Sequence, residues 1–394
     1  MMRYKYLIVG GGMTADAAVR GIRELDTEGT VGLIGDEPHP PYARPPLSKK
    51  LWRGARPESI WRGTQDLEVT LHAGRRAVGL DAVRHEVRDE RGETYGFDRL
   101  LLATGGAPRR LPFGAEDVVY FRTLDDYRRV RALADEHLRF AVIGGGFIGA
   151  EIAAALAASG CRVTMLFPDA GIGSRIFPAG LSSFVTDDYR QRGVVVWAGE
   201  TVAGMRRDRS GFVLRTRSGR DIPADAVIAG IGIIPNTELA ERAELPVNDG
   251  IVVDEQLRAG APDVFAAGDV ASFHSAVLDR RMRVEHEDNA LAMGRLAGRN
   301  MAGAAEPYTH LPFFYSDLFD SGYEAVGEVD NRLSTVEHWQ EPYRKGVVYY
   351  LRNGAVRGVL LWNVWDQVGA ARRLIAEPRT WRAADLRERL PERP

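Results

Sequence analysis

One order of residues occurs twice along the chain: a short apolar run, a cluster of glycines, then apolar positions at helical spacing. It first appears as YKYLIVG, GGM and TADAAVRGIREL, and closes on a second apolar run, TVGLIGD, ending at residue 36. It returns at 139–167 as RFAVIG, GGFIG, AEIAAALAASG and CRVTMLF. Each passage predicts strand, tight turn, helix and strand, the β-α-β unit of a dinucleotide-binding fold. Between them, 72–104 reads as short strands ending in the apolar run Arg99 to Ala103, and TLDDYRRVRALADE (123–136) reads as a helix. Residues 225–234 and 264–268 read as further buried strands. From about 311 aromatic-rich strands take over, and Asn353-Gly354 between two alternating segments marks a type I′ hairpin. The tail beyond about Glu377 is charged and proline-punctuated, and reads as a loosely held surface helix.

The glycine turns carry the candidate chemistry. Gly10-Gly11-Gly12-Met13-Thr14-Ala15 has the form GxGxxA. The first glycine permits the turn, the second lets the backbone approach a pyrophosphate, and Ala15 lets helix and strand pack closely. The helix start then offers free N–H groups and a partial positive charge to phosphate. Asp36 and Glu37 end the next strand, where a carboxylate accepts hydrogen bonds from a ribose diol. The second turn, Gly144-Gly145-Gly146-Phe147-Ile148-Gly149, is a full GxGxxG. Its following strand ends in Phe167 and Pro168, with Asp169 slightly later. Asp169 suits the 2′-hydroxyl of NADH and Arg175 the phosphate of NADPH; the reading favours NAD(H) over NADP(H). Two nicotinamide sites in one chain would be chemically idle, so one cofactor is expected to be FAD.

Composition narrows the class. The 394 residues carry 52 basic and 54 acidic side chains, a formal charge of −2, and 45% are apolar. This excludes a disordered or collagen-like chain and gives no basic footprint of a dedicated nucleic-acid binder. Only Lys5, Lys49, Lys50 and Lys345 are lysines; the arginines are scattered and read as compositional bias. The single cysteine, Cys161, reads as a small core residue and leaves no dithiol relay or multi-cysteine metal site. The histidines show no metal-ligand spacing, so no metal is expected. The apolar stretch 141–160 is interrupted by three glycines and a central Glu151, which argues against a membrane span. The start MMRYKYLIVGGG has too short an apolar core for a signal peptide. The expectation is a soluble cytoplasmic protein without nucleic-acid or membrane partners.

Further segments resemble a known family. ATGGAPR (103–109) looks like the ATG motif of two-dinucleotide flavoproteins, and VFAAGDV (264–270) like their GD motif. PYARPPLSKKL (41–51) resembles the loop after the first ribose site in the ferredoxin reductase and apoptosis-inducing factor branch of the FAD-dependent pyridine nucleotide-disulfide oxidoreductases. Within that branch LFPDAGIGSR (166–175), RVEHEDNALAMGRLAGRNMAGAAEPY (283–308), SDLFDSGYEAVGEVD (316–330) and KGVVYYLRNGAVRGVLLWN (345–363) look closer to apoptosis-inducing factor. His286 stands where oxygenase-coupled reductases commonly carry tryptophan, and Tyr315 replaces the usual tryptophan beside the flavin.

The resemblance implies an α/β fold: two Rossmann-like domains plus a smaller mixed α/β C-terminal domain, as in glutathione reductase. The expected boundaries are 1–112 with 245–310 for a discontinuous FAD domain, 113–244 for the NAD(P)H domain and 311–394 for the C-terminal domain. It also implies an FAD set of Gly10, Gly12, Met13, Thr14, Ala15, Asp36, Glu37, Arg44, Lys49, Val78, Ala103, Thr104, Gly105, Arg122, Gly268, Asp269, Glu285, His286 and Trp362. For NAD it implies the second glycine turn, Asp169, Arg175, Gly232, Glu285 and Tyr315. Lys49 and Glu151 are the expected catalytic pair, a cation beside the flavin with a carboxylate that keeps it charged and placed. The implied reaction takes a hydride from NADH and passes electrons to a small iron–sulfur ferredoxin. The alternatives are a nicotinamide-responsive flavoprotein with a long-lived charge-transfer complex, and an oxidase or quinone reductase; monomer and homodimer both stay open.

Overall fold

The computed structural model describes residues 2–114, 116–209, 211–387 and 389–391. It divides into two compact units: 1–44 with 57–107 and 234–313, and 45–56 with 108–233 and 314–394. The segment 45–56 therefore belongs to the second unit, which also takes in most of the region expected as the nicotinamide domain and most of the C-terminal region, while 234–244 falls in the first.

In the first unit five parallel strands lie in the order Val69–Ala73, Val31–Gly35, Met2–Val9, Thr94–Leu102 and Val264–Ala266. Glu86–Asp89 and Ala77–Asp81 extend the sheet antiparallel. Leu7, Ile8, Leu33, Leu100, Leu101 and Leu102 are fully or almost fully buried, as near-continuous apolar strands covered on both faces should be. Helix Met13–Arg23 follows the first strand and packs on helix Glu287–Met301 through glycines. A Cβ at Gly21 would lie 2.0 Å from the Arg295 carbonyl oxygen, and one at Gly298 2.0 Å from that of Ala18. The two backbones touch, so side chains at these positions would force the helices apart.

The second unit holds a five-stranded parallel sheet ordered Val195–Ala198, Arg162–Phe167, Arg139–Ile143, Ala226–Ala229 and Val118–Tyr120. Helix Leu124–Asp135 begins with a capping box in which Thr123 and Asp126 satisfy each other's backbone N–H groups. Helix Phe147–Ala158 follows the central strand, so 141–160 is strand, turn and buried helix as expected. Among the described residues no helix is long and apolar enough to cross a membrane.

A second, five-stranded sheet runs Phe313–Leu318, Ser321–Gly327, Ala355–Trp362, Lys345–Arg352 and Ser334–Glu341. Asn353 and Gly354 join its hairpin with φ of +53° and +79°, the left-handed pair a type I′ turn demands. Helix Val368–Ala376 packs on it. The tail differs from the expectation of a loose helix. Trp381, Leu386 and Leu390 are buried, and the Leu390 N–H donates to the Tyr349 hydroxyl at 3.0 Å. Three apolar anchors among many charges are enough to dock it.

Candidate functional site

The first glycine turn is built for a ligand. Gly10 has φ +131°, and a Cβ there would lie 2.0 Å from the Ala103 carbonyl oxygen, so the fold itself requires glycine. Gly12 is different. It caps helix Met13–Arg23 at φ −99°, a conformation open to any residue, and a Cβ there would meet no protein atom within 4 Å. Nothing in the chain needs glycine at 12; the open space above a helix N-terminus suits a pyrophosphate. Thr14 and Ala15 are buried, and a Cβ at Gly268 (φ +79°) would lie 2.3 Å from the Thr14 hydroxyl. This close approach brings the Gly268–Val270 turn, with Asp269, against the start of the helix.

Of the two acids after the next strand, Glu37 is the constructed one. It accepts from Arg44 Nη2 and from the Tyr42 hydroxyl, each at 2.5 Å, and Arg44 Nη1 also donates to that hydroxyl at 3.2 Å. Asp36 is exposed and, among the described residues, pairs only with exposed Arg76 at 3.0 Å. The ATG turn is pinned by reciprocal bonds. Thr104 Oγ1 donates to the Asn236 carbonyl at 2.7 Å, and Asn236 Nδ2 donates to the Thr104 carbonyl at 2.8 Å. The Gly105 carbonyl accepts the Asn236 N–H at 3.0 Å. The Val78 carbonyl accepts from Arg242 at 2.9 Å.

In the same unit, His286 caps helix Glu287–Met301. Burial pushes its pKa down to about 4, against the opposing charges of Asp269 and Asp288, so the imidazole is neutral near pH 7. Arg283, missed in the sequence, ties the region together. Its guanidinium donates to Glu285 at 2.7 Å, to the Asp269 carbonyl at 3.1 Å and to Asp249 at 3.1 Å. Asp16 was missed as well: fully buried, it accepts from Arg20, Arg62 and Thr64 and fixes the loop 62–64 to the first helix.

The second turn repeats the logic in the other unit. Gly144 has φ +120° with the Gly230 carbonyl oxygen 2.3 Å from an added Cβ, and a Cβ at Gly149 would lie 2.1 Å from the Gly144 oxygen. Gly145 lies under the Phe167 ring, while Gly146, at φ −84°, again meets nothing within 4 Å. Phe147 and Ile148 on the first helical turn are 41% and 37% exposed. The Gly145 carbonyl accepts the Gly173 N–H at 3.0 Å, which holds the 170–176 loop close. Arg175 Nε and Asp169 Oδ1 approach to 3.3 Å, with the arginine 80% exposed. Gly232 (φ +92°) is exposed, and its carbonyl accepts the Arg109 N–H at 2.9 Å.

Lys49 and Glu151 meet as an ion pair, their side chains only 10% and 4% exposed. Two serines complete the arrangement: Ser48 Oγ donates to Glu151 Oε2 at 2.5 Å and Ser316 Oγ to Oε1 at 2.6 Å. The Tyr315 ring centroid lies 5.3 Å from Lys49 Nζ, within cation–π range. Burial, and then the charge of Glu151, raise the Tyr189 and Tyr323 phenols well above their usual range, so both stay protonated.

Three residues of the expected FAD set, Lys49, Arg122 and Trp362, lie in the second unit. Trp362 is fully buried in the core of the second sheet, packed against Phe177 and stacked on Tyr323. The end of its strand is buried on both faces, and its indole Nε1 is buried with no hydrogen-bond partner among the described residues. Arg122 lies in the second unit, just after strand Val118–Tyr120, with its backbone N–H donating to Asp126 at 3.0 Å.

Two ligand-shaped glycine cradles, one followed by a strand that ends in a constructed acid, define a two-dinucleotide flavoprotein oxidoreductase with FAD and NAD(H) as cofactors. The comparisons agree. Residues 4–294 match the pyridine nucleotide-disulphide oxidoreductase model, and 297–342 with 337–377 match the C-terminal model of mitochondrion-associated apoptosis-inducing factor. The chain belongs to the pyridine nucleotide-disulphide oxidoreductase family, in the branch of the ferredoxin reductases and apoptosis-inducing factor. It is 34% identical to apoptosis-inducing factor 1, mitochondrial, of Dictyostelium discoideum, over 96% of this chain and 79% of that protein. It is 36% identical to putidaredoxin reductase of Pseudomonas putida, over 82% of this chain and 79% of that one. The covalent putidaredoxin reductase–putidaredoxin complex contains a chain of TM-score 0.89 and 31% identity, matched over 95% of this chain and 94% of that one. With Cys161 alone and buried, this chain lacks the cysteine pair that the disulphide chemistry in the family's name needs.

Proposed function

We propose that the protein is an FAD-dependent reductase that takes a hydride from NADH and delivers electrons to a small iron–sulfur ferredoxin. The observation that carries the redox reading is the pair of glycines, Gly12 and Gly146, kept where no protein atom requires them. The acceptor rests on the similarity to the ferredoxin reductases. In this reading the first cradle, with Glu37, Arg44, the 103–105 turn and Asp269, holds FAD. The second, with Asp169, Gly232 and the exposed Tyr315, receives NADH. The three-domain division with boundaries near 112, 244 and 310, and a cytoplasmic location, belong to the same proposal.

Bound FAD supplies the ability to accept two electrons together and release them singly. The chain's own residues position and polarise. The two helix starts draw the phosphates, and the Lys49 ammonium, held by Glu151, offers positive charge where electron density builds. His286, neutral at the start of its helix, leaves the positive end of that helix uncompeted. No side chain serves as nucleophile. A second reading, a nicotinamide-responsive flavoprotein like apoptosis-inducing factor, is favoured by the C-terminal model match and by histidine at 286. Anaerobic stopped-flow reduction by NADH separates them. Fast flavin bleaching with rapid reoxidation by an added ferredoxin is expected. A slow reduction to a persistent long-wavelength band that resists oxygen would replace the first reading with the second.

A further inference from the structure

Glu151 has one carboxylate and three donors, and those donors come from two distant parts of the chain. Lys49 Nζ and Ser316 Oγ share Oε1, while Ser48 Oγ takes Oε2. Ser316 is 0% exposed and Ser48 7%. A carboxylate bonded through a single oxygen rotates about its terminal torsion, which is broad and shallow; bonds to both oxygens fix the plane. The lysine faces the same problem, since its ammonium sits on a flexible stem of four carbons and holds position only as well as its partner does. Burial makes the arrangement consequential: each hydroxyl hydrogen bond to a desolvated carboxylate is charge-assisted and stronger than its solvent-exposed counterpart.

Strand Phe313–Leu318 puts neighbouring residues to different uses. Tyr315 is exposed with its ring beside Lys49, and Ser316, the next residue and therefore on the opposite face, points inward to Glu151. A buried serine on an aromatic-rich strand has no packing reason to be there; alanine would fill the same space without a hydroxyl to satisfy. On the other side Ser48 immediately precedes Lys49, so one short segment supplies both the cation and a second donor that fixes the cation's partner.

We propose that Ser48 and Ser316 are positioning residues for the redox site: they lock the carboxylate of Glu151 so that it holds the Lys49 ammonium at one place, and through Ser316 the C-terminal sheet becomes a working part of that site. The proposal rests on the reading of Lys49 as the cation beside the flavin, and its test separates the two.

The chain's scarcity of lysine makes the measurement clean, because mass spectrometry can follow acylation of Lys49 against Lys5, Lys50 and Lys345 in one sample. The full-length flavoprotein is treated with an amine-acetylating reagent, and the midpoint potential of its flavin is measured alongside. In Ser48→Ala, which leaves the carboxylate bonded through Oε1 alone, and most in the double variant, acetylation of Lys49 is expected to rise at least five-fold with Lys50 unchanged; Ser316→Ala, which leaves both oxygens bonded, gives a smaller rise. The flavin potential moves negative, and kcat for NADH falls several-fold at nearly constant KM. Ser316→Thr, which keeps the hydroxyl, stays near the parent. If Ser316→Ala does not fold, Ser48→Ala carries the test alone. An unchanged Lys49 rate in the folded variants overturns the lock. A raised rate with an unmoved flavin potential keeps the lock and overturns the placement of Lys49 at the flavin.

Discussion

The two glycine cradles share a plan and differ in finish. In each, the first glycine is demanded by the fold and the glycine at the helix start is demanded by nothing in the protein. Around the first cradle the remaining parts are fixed in advance. Thr14 and Ala15 are buried, and Glu37 is held by two side chains. Around the second, Phe147 and Ile148 are exposed, and the acid that follows its second strand, Asp169, has a solvent-exposed arginine for its side-chain partner. A site whose groups are already ordered spends less binding energy on ordering them and retains its ligand; a site with loose, exposed groups binds more weakly and exchanges faster. The contrast suits a resident FAD and a transient NADH.

The strongest way to break that contrast is to damage each cradle at its fold-required glycine. Gly10→Ala and Gly144→Ala each force a side chain into a left-handed conformation and against a carbonyl oxygen. Strain and overpacking together should cost about 3 kcal/mol or more, or roughly 10 °C in melting temperature. The outcomes should then diverge: Gly10→Ala is purified without flavin colour, while Gly144→Ala keeps its flavin and is no longer reduced by NADH. Equal flavin loss in both would end the assignment.

A comparable effect is expected from His286 in the first unit. Its folded pKa lies near 4, below the ordinary histidine value, because burial disfavours the charged ring. Below about pH 6.5 the unfolded chain takes up a proton that the folded chain refuses. Stability from this group is therefore fully present above that pH and declines toward pH 4, by up to about 1.4 kcal/mol per pH unit. Urea titrations between pH 7 and pH 4.5 should show the decline, and His286→Gln should flatten it; the same slope in both proteins would remove His286 as its source.

How much of this was legible beforehand follows from distance along the chain. The cradles were plain because strand, turn and helix are contiguous, and the Asn353-Gly354 hairpin for the same reason. Glu151 and Lys49 were legible only through resemblance, and their serine partners not at all: Ser48 is 103 residues from Glu151 and Ser316 is 165. No local pattern marks a serine that will find a carboxylate so far away. Arg283 was hidden by a surplus of arginines that look alike in the sequence. Trp362 has no local signature either, because an aromatic at the end of an alternating strand reads the same whether it faces a cofactor or a second layer of core.

Smaller effects sharpen the comparison. Glu37→Gln removes the charge that Arg44 and Tyr42 hold in place, and charge-assisted hydrogen bonds of this kind are worth about 1.5–3 kcal/mol. Reconstitution of the apoprotein should show FAD binding weakened roughly 10- to 100-fold. The KM for NADH in the fully flavinated variant should stay put, and a shifted KM would show that the cradles are not separate in function.

The gentlest test lies at Asp169. Its partner Arg175 is 80% exposed, and an exposed ion pair contributes at most about 1 kcal/mol. Arg175→Ala alone should therefore leave NADH kinetics within about two-fold, since the side chain it removes is already largely in solvent. Asp169→Ala acts differently: it deletes the acceptor for a ribose hydroxyl and frees a guanidinium that suits a phosphate. The NADH to NADPH ratio of kcat/KM should fall by about ten-fold, the equivalent of roughly 1.4 kcal/mol. The combined variant should lose NADH preference without gaining NADPH, because the cation that would reward the extra phosphate is gone. If Asp169→Ala leaves the ratio unchanged, the ribose is read elsewhere in the second unit and the second cradle lacks the acid that the first possesses.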